Sequence, residues 1–325
     1  QGSIPAGVPV VVFVHGICTR TLTDFDSKDG YRVFQRLLAL DGIASFSVAL
    51  RNCGSRSGYG PWRAALLEQF LEFLERMPQT PGATPLPDDP FNGQFQGKLD
   101  LQRVMAVGHS TGFEGIAQYL VRKDRGGLHP SVNVQSVVGL GGWFLEPHVL
   151  TDPQATTEVA EWDIDRSDVL QALDPLPLLM LLGSQEGGFL SADLNGPPDV
   201  NAGNRGAALR WLLHRDRQAA LSYVQLPDGR HEDWSSTWTD AGTSKAHQLG
   251  SAPLVRRWAR THLLGESQQW STFNGVRRTM ETGTYLEYSS FFSAAQPSVS
   301  DLFHRPPMSG GTTDSGGAIT PAPGP

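Results

Sequence analysis

LQRVMAVGHSTGFEGIAQYLV, Leu101–Val121, reads as a strand, a tight turn and a helix with almost nothing between them. The first seven residues are a short run rich in apolar side chains, the length of a buried strand. Gly112–Val121 spaces its apolar residues as a helix does. Gly108-His109-Ser110-Thr111-Gly112 lies between them and fits G-x-S-x-G. Five residues match such a pattern often by chance, and an ordinary glycine-rich turn is the plain alternative. A strand before and a helix after make the pattern specific. In that setting serine sits on a strained elbow with its hydroxyl exposed, and the flanking glycines let neighbouring backbones approach.

Working outward, the same alternation repeats. Val8–Val14 (VPVVVFV) is a β-branched run ending at His15-Gly16, and Ala44–Leu50 is a second strand. Val132–Leu140, Leu176–Leu182 and Leu221–Leu226 are three more. Tyr31–Leu40, Pro61–Met77, Gly206–Leu213 and Pro253–Leu264 read as helices, Pro61 standing where a missing N–H costs little. Pro78–Gly97 holds five prolines and three glycines and reads as a loop. Strands alternating with helices predict an α/β fold, a mostly parallel sheet with helices on both faces. The expected domain spans residues 1–265. An extension follows over 266–308, and the Gly- and Pro-rich stretch 309–325 is expected to be disordered.

Composition narrows the function. The chain has 325 residues, 39 % hydrophobic and 18 % charged, enough for a large core and unlike a disordered chain. A net charge of −7 argues against nucleic acid, and no apolar run is long enough for a membrane span. Cys18 and Cys53 form no zinc motif, and free thiols or a single bridge remain open. The sequence leaves both compartment and oligomeric state undefined.

A serine hydroxyl needs a base to take its proton. Among nine histidines, His231 follows Leu221–Leu226 by five residues, in a loop after the last strand of the pattern, and is the first candidate; His247 is the reserve. A carboxylate must hold the imidazole's tautomer and balance the imidazolium. The turn after Leu176–Leu182 supplies Glu186, with Asp193 as the reserve acid. Two backbone donors should receive the oxyanion: the N–H of Thr111, after the nucleophile, and that of Ile17, after His15-Gly16. Such a triad works without metal or cofactor, and neither is expected.

Together His15-Gly16, Gly108–Gly112, Glu186 and His231 resemble the α/β-hydrolase superfamily over about Val8 to Gly265. The resemblance implies an eight-stranded sheet in the order 1-2-4-3-5-6-7-8. Seven residues precede Val8, too few for the first hairpin, so strands 1 and 2 are expected to be missing. Serine as nucleophile sets aside the dehalogenase and epoxide-hydrolase branches. A narrower resemblance, through Leu50-Arg51, Ser57-Gly58-Tyr59-Gly60 and the long helix after them, is to a largely fungal family that includes siderophore ester hydrolases. That family usually has Gly-Gly where this chain has His15-Gly16.

Under this resemblance 141–175 is a small lid insertion, and the loops of Cys18 and Cys53 are neighbours, where a disulfide and two buried thiols are both compatible. His15, Phe113, Trp143 and Trp234 are candidate pocket residues, the tryptophans either an aromatic wall or ordinary packing. The implied activity is a serine esterase acting on a small-molecule ester. Lactone, thioester and C–C hydrolysis use the same triad, and a catalytically silent binding protein of this fold is the alternative of another class.

Overall fold

The computed structural model describes residues 5–16, 30–48, 60–77, 84–142, 164, 166–183, 219–226, 229–235, 243–267 and 288–292. In chain order these form β1 (Val8–Val14), α1 (Arg32–Ala39), β2 (Ala44–Val48), α2 (Gly60–Arg76), β3 (Leu99–His109) and α3 (Thr111–Gly126). There follow β4 (Val134–Leu140), α4 (Arg166–Leu173), β5 (Leu178–Gly183), β6 (Leu221–Leu226), a 3₁₀ turn (His231–Trp234), α5 (Thr243–Leu264) and β7 (Tyr288–Phe292). The fold is α/β. Six parallel strands stand in the order β2-β1-β3-β4-β5-β6, and β7 pairs antiparallel on β6.

The central strands are buried on both faces, which is why β1 and β5 read as continuous apolar runs. All seven residues of β1 are buried. Val10, Val12 and Val14 point to one face, packed with Leu67, Leu71 and Leu74 of α2 and Ile116 and Leu120 of α3. Val11 and Phe13 point to the other, with Tyr31, Phe34 and Leu38 of the α1 layer and Leu254, Val255 and Trp258 of α5. Period-two alternation thus divides one strand between two cores. Each fully buried Val or Leu contributes about 1.5–3 kcal/mol of transfer free energy.

The pattern places most elements within two or three residues, and three departures have physical causes. Val132 and Leu176 belong to turns rather than strands, their N–H groups bonding the carbonyls of His129 and Leu173. α5 begins at Thr243, ten residues before Pro253, which stands inside the helix rather than at its start. An interior proline costs about 3 kcal/mol. Here Ala252, Leu254, Val255, Trp258, Ala259 and Leu263 are buried along the same helix and offset that cost. β7 extends the sheet beyond Gly265, where apolar periodicity fades.

The expected helix over Gly206–Leu213 and the tail 309–325 lie outside the described residues. So does most of the 141–175 insertion, of which α4 is described. Among the described residues, no helix is long and apolar enough to cross a membrane.

Candidate active site

Ser110 connects β3 to α3 at φ 55° and ψ −130°. A positive φ at a residue with a Cβ costs on the order of 1–3 kcal/mol and persists only where its surroundings enforce it. Here the enforcement is visible. The Ser110 N–H bonds the Leu140 carbonyl of β4 at 3.1 Å, and its own carbonyl receives the Phe113 N–H at 3.0 Å. Both glycines of the motif are required by contact. A Cβ on Gly108 would strike the main chain of Phe113, and one on Gly112 would strike the carbonyl of Val14 at the end of β1.

The second component arrives from β6. The 3₁₀ turn after it presents His231, whose Nε2 lies 2.8 Å from Ser110 Oγ. With the ring proton on Nδ1, Nε2 is bare and the serine O–H donates to it, the tautomer a base would need. The turn is braced by Asp233, 1 % exposed. Its Oδ2 accepts the Arg230 N–H at 2.9 Å and lies 3.0 Å from Nδ1 of His247 on α5. His247, the reserve base, therefore faces Asp233.

The loop after β1 is fixed from behind. Arg63 is wholly buried on α2; its Nε donates to the His15 carbonyl at 2.7 Å and its Nη2 to that of Gly16. Burial lowers Arg63 to about 10, with the charge of Glu114 opposing the shift, so it stays protonated near neutrality. His15 is buried too, and its Nδ1–H donates to the Gly16 carbonyl at 2.7 Å. Burial, and then Arg63, push it down to about 3, which keeps the ring neutral.

His109 precedes Ser110 and is fully buried. Its Nδ1 lies 3.2 Å from the Tyr31 hydroxyl and its Nε2 2.9 Å from the main-chain carbonyl of His231. Burial holds it well below the ordinary histidine range, and the charges of His231, His15 and Arg63 push the same way. Burial also moves the Tyr31 phenol upward, with Arg63 opposing.

The structure thus brings together Ser110, His231 and Thr111, which opens α3, at the C-terminal ends of β1, β3 and β6, the usual end for a ligand in a parallel sheet. Phe113 is fully buried in the α2–α3 core, and Trp234, 1 % exposed, packs in the core beneath α1 and α5. Ile17, Cys18, Cys53, Trp143, Glu186 and Asp193 lie outside the described residues.

Sequence reasoning passed over Arg63, Tyr31 and the Asp233–His247 pair. One signal existed: Arg63 shares a helical face with Leu67, Leu71 and Leu74, at intervals of four, four and three, and a cation there must be buried. No protein-family model matches the chain, and no curated protein matches it in sequence.

Proposed function

We propose that this protein is a serine hydrolase of the α/β-hydrolase type that cleaves a carboxylic ester through an acyl-enzyme on Ser110. The observation that carries the reading is Ser110 Oγ, held at a positive φ, 2.8 Å from His231 Nε2. The strand order supports it. β2-β1-β3-β4-β5-β6 is the order that the resemblance implies once its first two strands are removed.

In this mechanism Oγ attacks the ester carbonyl as its proton passes to His231 Nε2. The carbonyl oxygen becomes an oxyanion facing the Thr111 N–H, with the Ile17 N–H as second donor. The intermediate collapses, His231 protonates the departing alcohol, and the acyl group remains on Ser110. Water, deprotonated by His231, then releases the acid. Glu186 is the carboxylate assigned to the His231 Nδ1–H, with Asp193 in reserve. Esters lead the possible bonds because an alkoxide leaves more readily than an amide nitrogen. A silent binding protein would gain nothing from a strained serine aligned on a histidine.

Hydrolysis of p-nitrophenyl esters of increasing acyl length, beside a cyclic hydroxamate ester, tests the reading and sorts substrates. Ser110→Ala should lower kcat by more than about 10²-fold, since triad losses in such sites are larger still. A folded variant retaining over about a hundredth of the activity overturns it.

A further inference from the structure

We propose that His109 is a positioning residue that ties the nucleophile's turn to the main chain of the base. The proposal rests on the roles of Ser110 and His231 given above and deepens them.

The direction of each hydrogen bond follows from the acceptors. The His231 carbonyl can only accept, so His109 Nε2 carries a proton and donates across 2.9 Å. In the neutral ring Nδ1 is then bare, and it accepts the Tyr31 O–H across 3.2 Å. Tyr31 thus selects the tautomer that holds the carbonyl. The selection uses no charge. That matters because the His109 and His231 rings are 5.2 Å apart between centroids, and His231 becomes a cation each time it takes the serine proton. A second cation at that distance would oppose the transfer. The groups acting on His109 are Tyr31 from the α1 side, His15 after β1, Arg63 from α2 and His231 itself.

The result is a closed ring. Ser110 Oγ meets the His231 imidazole, the His231 carbonyl meets the His109 imidazole, and His109 is covalently joined to Ser110. Nucleophile and base lie 121 residues apart in sequence, and this ring fixes their separation from both sides of the base. Loss of the carbonyl contact frees the His231 turn to shift, and displacements of about 1 Å can cost about 10² in rate.

The test uses the full-length protein, p-nitrophenyl butyrate and a fluorophosphonate probe, with circular dichroism and Tm to monitor folding. His109→Leu, which removes the donor, should lower kcat and the labelling rate by about 10²-fold with KM within about twofold. His109→Gln, which can place an N–H near the Nε2 position, should recover to within about tenfold of wild type. Tyr31→Phe should fall between the two. Independently of activity, ¹⁵N-histidine NMR of the wild type should show His109 as the neutral Nε2–H tautomer across pH 5.5–8.

A folded His109→Leu that labels at the wild-type rate overturns the proposal, as do equal losses in the Leu and Gln variants. An Nδ1–H tautomer overturns it even where His109→Leu does not fold. Wild-type protein that neither hydrolyses nor labels overturns the hydrolase reading instead, while the tautomer still decides whether the His109 link exists.

Discussion

Replacing Arg63 by methionine keeps the bulk of the stem and removes the guanidinium that holds the loop after β1. Two bonds from a charged donor disappear, those to the carbonyls of His15 and Gly16. Hydrogen bonds to charged groups contribute about 1.5–3 kcal/mol each. The charge also acts electrostatically on Glu114, 2 % exposed, and a buried carboxylate that loses a nearby opposite charge is destabilised further. These terms overlap, so the expected loss is about 4 kcal/mol, or about 6 °C in Tm at this chain length. Urea unfolding followed by tryptophan fluorescence measures it. Arg63→Met with Glu114→Gln should be about 1–2 kcal/mol more stable than Arg63→Met alone, because a neutral amide no longer needs the cation. A single-variant loss under about 1 kcal/mol, or strict additivity in the double-mutant cycle, would refute this account of Arg63.

Stability should fall as pH drops below 6.5. The folded-state values of His15 (about 3), His262 (about 4) and His109 are lowered, each chiefly by burial. Below 6.5 the unfolded chain takes up protons that these folded rings refuse, at about 1.4 kcal/mol per pH unit for each proton. Urea midpoints from pH 7 to 4.5 read this directly, and a midpoint that rises on acidification would contradict it. Glu186→Gln should lower kcat at least about 10²-fold with KM little changed, whereas Asp193→Asn should cost less than about tenfold. The reverse ranking moves the acid to Asp193.

The elbow was legible because it is local. Strand, turn and helix are contiguous, and the two glycines record contacts that only a missing side chain allows. His231 was legible by position, in the loop after Leu221–Leu226. The supports were not. Tyr31, His109 and His231 are separated by 78 and 122 residues, and spacing carries no sign that one imidazole joins the other two. The start of α5 was read ten residues late, because Thr243–Ala252 is largely polar and shows little apolar periodicity. β7, Tyr-Ser-Ser-Phe-Phe, is short and half polar, and the neighbouring β6 rather than its own pattern defines it.

The most direct test of the central claim is covalent. Intact protein incubated with a fluorophosphonate, digested and mapped by mass spectrometry should carry one adduct, on Ser110. Ser110→Ala should carry none, and His231→Ala should label more slowly by about 10³-fold or more, since without its base the hydroxyl is an ordinary alcohol. An adduct on another residue, or wild-type labelling rates in either variant, would contradict the account.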